Sequence, residues 1–127
     1  MIINYSGQDD IDMLVGMCER LPYLRTLVLF CSHKRFSESV EEISELLEAA
    51  CFGYEGTIRI RKSHDTLSAE FENGSSILVT VAREGVRGQR AHVVEYETCI
   101  DEEILNCVVR PLVRGYDINH YKENSAK

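Results

Sequence analysis

The sequence predicts a mixed α/β fold: a mostly parallel sheet with flanking helices and one β-hairpin. Three observations predict it. Residues 26–31, TLVLFC, are a short apolar run of the kind needed by a strand buried on both faces. A long stretch with apolar residues at helical spacing follows it. Two alternating runs then flank Asn73-Gly74, a dipeptide strongly favoured in tight hairpins. Strand and helix signals that alternate along one short chain place helices over the faces of a shared sheet.

The opening residues, IINYSGQDDIDMLVGMCERL, read as a short strand, a Ser6-Gly7 turn and a helix. After TLVLFC comes RFSESVEEISELLEAACF, where Val40, Ile43, Leu46, Leu47 and Ala50 share one helical face and glutamates take the other. Ser39 and Glu42 make a capping box, although Ser32 can start the helix earlier; Gly53 ends it. Residues 57–61, TIRIR, alternate as a half-exposed strand does. Leu67, Ala69 and Phe71 alternate before the Asn-Gly turn, and Ile77, Val79 and Val81 after it. Residues 66–72 and 76–82 should therefore pair antiparallel, through a type I′ turn with positive φ at both Asn73 and Gly74. Residues 91–96 form a further strand, expected to run parallel to 26–31 because each is an apolar run followed by a helix. Asp101 is placed to cap the last helix, with Glu102 and Glu103 in its first turn. Ile104, Leu105, Val108, Val109 and Leu112 give that helix an apolar face, and Pro111 ends or kinks it. The polar tail, about 117–127, is expected to fray.

The length of 127 residues suits one domain, covering 1–127 and large enough for a core. Its 44% hydrophobic and 28% charged residues place it among globular rather than disordered chains. No apolar run approaches the roughly 20 residues of a membrane span, and MIINYSGQDD lacks the features of a signal peptide. A cytoplasmic protein with no membrane partner is expected. Cys18, Cys31, Cys51, Cys99 and Cys107 are scattered, without zinc-ligand spacing, and are expected to be reduced core thiols. A net charge of −7 argues against a free-standing nucleic-acid binder, although Arg83, Arg87 and Arg90 gather in one loop.

Three segments, taken in order, carry a family resemblance: TLVLFCSHKRFSESVEEISELL, then AEFENGSSILVTVA, then RGQRAHVVEYE. Together they resemble the ATPase domain of the large terminase subunit, the DNA-packaging motor of tailed phages and herpesviruses. That family places a strand pair around an "NGS" turn, then an "RG-x-RA" loop leading into the second ATPase strand. The resemblance covers roughly residues 24–114 and implies a sheet of the P-loop NTPase type. It also implies a role related to viral DNA packaging, in host-cell cytoplasm if the protein is viral. A packaging motor needs a full ATPase and a nuclease domain, so the chain matches a part of one. ATP and Mg²⁺ would be the cofactors by resemblance, a protein partner or further copies of the chain its neighbours, and DNA a partner only in a larger assembly.

The family's second motif needs a strand ending in a metal-side acid, followed by a Glu that polarises the attacking water. HVVEYET sets Glu97 at the metal-side acid position, our candidate catalytic residue, with Thr98 where the water-polarising Glu would stand. A shifted match makes Glu95 and Glu97 a cation-binding pair, since residues two apart in a strand share a face. The plain alternative is an edge strand whose glutamates face water. The phosphate loop has no lysine: Gly7 fits the turn, Gln8 stands for the lysine and Asp9 for the hydroxyl residue. An added carboxylate repels a triphosphate, so this chain alone is not expected to bind ATP tightly; the segment equally reads as an acidic turn capping a helix. In the loop, Arg87 and Arg90 are candidates to reach phosphate, expected at the carboxyl edge of the sheet beside Glu97. A solvated connection pairing with Glu84, Glu95 or Glu97 is the other reading. His33, His64, His92 and His120 lie apart, Asp65, Glu70 and Glu72 lack the lysine of a metal nuclease, and no G-x-S-x-G or HExxH motif is present. Three functions stay open: a terminase-like ATPase domain with a degenerate phosphate loop, a non-enzymatic α/β domain that kept this fold and binds another protein, or an unrelated small α/β binding domain whose loop similarity is accidental.

Overall fold

A computed structural model of the chain describes residues 1–83, 86 and 88–116. Arg87 and the tail beyond Tyr116 lie outside the described residues. The order is β1 (Ile2–Asn4), α1 (Gln8–Arg20), β2 (Arg25–Phe30), α2 (His33–Ala50), β3 (Ile58–Lys62), β4 (Leu67–Phe71), β5 (Ser76–Val81) and β6 (Val93–Tyr96). A helical turn, α3 (Glu102–Ile104), follows. The six strands form one mixed sheet in the order β1-β6-β2-β5-β4-β3. β1, β6, β2 and β5 are parallel, as expected for 26–31 and 91–96, and the β4–β5 and β3–β4 pairs are antiparallel.

β2 shows why the centre of the sheet is apolar on both sides. Val28 and Phe30 join the core under α1 and α2, whereas Leu27 and Leu29 join a second core on the opposite face. The first core takes Ile11, Leu14 and Val15 from α1 and Phe36, Ile43 and Leu47 from α2. The second is closed by Val108, Val109 and Leu112. Chain direction sorts the layers. β1 to β2 and β2 to β5 step the same way across the sheet over α1 and α2, while β5 to β6 steps back over the second core. Right-handed crossovers require that alternation of faces.

Local chemistry sets the boundaries. α2 begins at Ser32, whose hydroxyl accepts from the Arg35 N–H at 3.2 Å, so the earlier of the two candidate caps is used. The hairpin turn is not type I′. Gly74 alone has positive φ (+89°), its N–H donates to Phe71 O, and the Phe71 N–H donates to Ser75 O. That is a type I turn closed by a glycine bulge. Gly74 is doubly constrained, because a Cβ there would also stand 2.5 Å from the Tyr23 ring. The Asn73 amide donates to Cys18 O at 2.7 Å and the Ser75 hydroxyl accepts from the Leu24 N–H at 3.0 Å, docking the NGS turn on the α1–β2 connection.

Asp101 caps α3 through a 2.8 Å bond from the Glu103 N–H. The helix then widens over Leu105–Val109, where the Arg110 N–H donates to Leu105 O five residues back, and tightens over Arg110–Leu112. Pro111 has no N–H to offer the preceding turn, which accounts for the irregular ladder. No helix among the described residues is long and apolar enough to cross a membrane.

Candidate functional site

The parallel strands bring the ends of β1, β6 and β2 together at the carboxyl edge, where open α/β sheets hold their ligands. Glu97 lies just past β6 and is buried (8% exposed). One of its oxygens accepts from the Cys31 N–H at 3.0 Å, the other from Arg35 Nε at 3.2 Å and Nη2 at 2.9 Å. Arg35 also reaches Glu38 at 3.1 Å, and these two carboxylates raise its pKa, Glu97 first. Glu97 therefore ties three elements together: the strand it follows, the end of β2 and the first turn of α2.

Arg35 was missed in the sequence, although a signal was present. The first turn of α2 holds His33, Lys34 and Arg35 and no acid. Cations there oppose the helix dipole, so a basic residue in that position needs another partner. Glu97 is that partner.

Glu95 sits two residues earlier on the same face, wholly buried in the middle of the sheet, with neither oxygen hydrogen-bonded. β6 is an interior strand, so the alternative of edge-strand glutamates facing water is corrected: β1 covers one side and β2 the other. Burial pushes the Glu95 pKa up to about 8, helped by the Asp10 carboxylate, which repels the charged form and can accept the proton of the neutral one. Tyr5 is pushed up to about 12, first by burial and then by Glu42, Glu95, Asp10 and Glu97. The crevice is thus acidic. Glu95 answers to Asp10 and Glu97 to Arg35, so the cation pair suggested by their spacing is divided between two environments.

The β1–α1 turn holds the candidate phosphate-loop residues. Gly7 precedes α1 with φ +125°, a conformation that suits glycine. Gln8 and Asp9 open the helix and are exposed. Asp10 folds back instead, accepting from the Ser6 N–H and, at 2.7 Å, from the Ser6 hydroxyl. That carboxylate occupies donors an anion would use.

Arg90 is not at this edge. It lines clefts with Arg25, the first residue of β2, at the opposite end of the strands. The reason is topological: β6 runs parallel to β2, so residues just before it lie at the amino edge. The loop from β5 must travel the length of the sheet, leaving Arg83 near Asp65 (3.1 Å) at one end and Arg90 at the other. Pairing of Glu97 with Arg90 is corrected to pairing with Arg35. Arg87 lies outside the described residues.

The thiol expectation is also corrected. Cys31 and Cys99 form a disulfide, with Cα atoms 5.9 Å apart across 68 residues of sequence. The ends of neighbouring strands hold them together, which spacing along the chain does not reveal. Their sulfurs and a Glu97 oxygen lie within 4.8 Å of one another, a donor set open to a cation only when the sulfurs are reduced. Cys18 and Cys51 are free thiols, as expected, and burial pushes them up to about 12 and about 11. His92 is buried, and its Nδ1 accepts from the Arg25 N–H at 2.9 Å.

No protein-family model and no curated protein matches the chain.

Proposed function

We propose that this chain is a terminase-like ATPase domain, related to viral DNA packaging, whose phosphate-binding loop no longer takes nucleotide. In this reading the sheet is of the P-loop NTPase type, and the domain works by contact with a protein partner or with further copies of itself. The resemblance in segment order supports the descent. So does the parallel core that sets an acid, Glu97, at the end of an interior strand beside the β1–α1 turn.

The observation that carries the loss of nucleotide is the Asp10 carboxylate seated on the Ser6 N–H and hydroxyl. A phosphate approaching this turn would meet a negative charge where backbone donors are needed, with Asp9 beside it and no lysine to compensate. Mg²⁺ bound to Glu95 would have to displace a proton held up to about pH 8. The arginine of the crevice is already engaged by Glu97 and Glu38.

Steady-state ATP hydrolysis by the purified chain tests the reading. Turnover at the level of a protein-free control is expected with Mg²⁺ present. Turnover above that level, abolished by Glu97→Gln, would overturn it. The alternative, a non-enzymatic α/β protein-interaction domain, shares the closed turn.

A further inference from the structure

We propose that the amino edge of the sheet carries a phosphate-binding cleft built by Arg25, Arg90 and Arg114. The cleft measures about 220 Å³, and besides these arginines it is lined by Ala91 and His92. It lies at the opposite end of β2 and β6 from Glu97.

Backbone bonds fix all three arginines. The Arg25 N–H donates to His92 Nδ1 at 2.9 Å, and its carbonyl accepts from the His92 N–H at 2.8 Å. Ala91 forms a parallel bridge with Val113, through Ala91 N–H to Leu112 O at 3.0 Å and Arg114 N–H to Ala91 O at 2.7 Å. The residues flanking that bridge, Arg90 and Arg114, are thereby held at one rim. Arg114 Nη1 donates to Pro111 O at 2.6 Å and Val113 O at 2.8 Å, which orients the guanidinium and leaves its remaining N–H groups for another acceptor.

The charge balance points to an anion. Among the described residues, the ion pairs use Arg35, Lys62 and Arg83; none uses Arg25, Arg90 or Arg114. Among the described residues no carboxylate lines the cleft, and Glu70 enters only the adjoining space of about 160 Å³ that shares Arg25 and Arg90. On a chain of net charge −7, three cations converging with no carboxylate among the described residues are an exception that repulsion would disfavour unless an anion joins them. Guanidinium groups match tetrahedral oxyanions through paired N–H donors, so a phosphate group is the chemistry that fits. Its source is either a small phosphorylated molecule or a polynucleotide backbone.

Inorganic pyrophosphate is the probe, titrated calorimetrically into the full chain at low salt. Saturable one-site binding with Kd below about 1 mM, roughly −4 kcal/mol, is expected, weakening as salt rises. Arg90→Ala and Arg114→Ala should each weaken it at least about tenfold while leaving the thermal transition in place, because both side chains are exposed. Arg59→Ala, on the distant edge strand β3, should leave binding unchanged. A single-stranded oligonucleotide that displaces pyrophosphate identifies the source as a polynucleotide; failure to displace it identifies a small phosphorylated ligand. Absence of saturable binding up to about 10 mM, or equal losses for Arg59→Ala and Arg90→Ala, would overturn the proposal.

Discussion

Replacing Glu95 by Gln removes a charge that this fold is poorly built to carry. Both carboxyl oxygens are buried without partners, and the pKa rises from 4.5 to about 8, first through burial and then through Asp10. An unfolded Glu gives up its proton near 4.5, whereas the folded one keeps it to about 8. Between those values the native state holds more protons than the unfolded state, so stability falls as pH rises. At about 1.4 kcal/mol per pH unit, the loss amounts to roughly 3 kcal/mol at pH 7 and roughly 5 kcal/mol above pH 8. Small domains are stable by only about 5–15 kcal/mol, so the effect is large. Gln keeps the shape, cannot ionise, and can donate an amide N–H to Asp10. Urea denaturation at pH 4.5 and pH 8.5 (both chosen at about the ends of the window) measures the difference. The variant should match the parent within about 1 kcal/mol at the lower pH and exceed it by roughly 3–5 kcal/mol at the higher. Equal stabilities at pH 8.5, or a weaker variant there, would refute the description of Glu95 as a buried, unpartnered acid.

The Cys31–Cys99 link closes 68 residues, for which the chain-entropy account gives about 4 kcal/mol. Reductant, or Cys31→Ser with Cys99→Ser, should lower the denaturation midpoint, and the oxidised protein should titrate three free thiols, at Cys18, Cys51 and Cys107. Five reactive thiols in the unfolded, unreduced chain would contradict the pairing. Gly74→Ala meets both a φ of +89° and the Tyr23 ring, whereas Gly53→Ala meets a φ of +90° in open space. The first should cost about 2–4 kcal/mol and the second about 1 kcal/mol in thermal or chemical denaturation. Equal costs would show that the Tyr23 contact is soft.

Much of the sheet was legible because burial on two faces writes itself as an unbroken apolar run, and TLVLFC is one. The hairpin was legible as a pairing but not as a turn type, because Asn73 spends its side chain on Cys18 O and Ser75 N–H rather than adopting positive φ. Tertiary docking decided that geometry. At the crevice, Glu95 and Glu97 announced themselves as acids interrupting a strand, but the groups that set their environments lie far away in sequence: Asp10 near Glu95, and Arg35 and the Cys31 N–H on Glu97. Arg90 was misplaced for a different reason. The parallel pairing of 26–31 with 91–96 already required residues before 91 to lie at the amino edge, so the basic loop and Glu97 belong to opposite ends. The disulfide joins two strand ends whose proximity exists only once the strands are ordered.

The proposed function stands or falls with the closure of the β1–α1 turn to nucleotide by Asp10. Calorimetric titration of ATP·Mg²⁺ tests it most directly, performed on an Arg90→Ala/Arg114→Ala variant so that the amino-edge cleft does not contribute. No saturable heat is expected at the affinities of a working nucleotide site. Binding tighter than about 10 μM, roughly −7 kcal/mol, in that variant would contradict it.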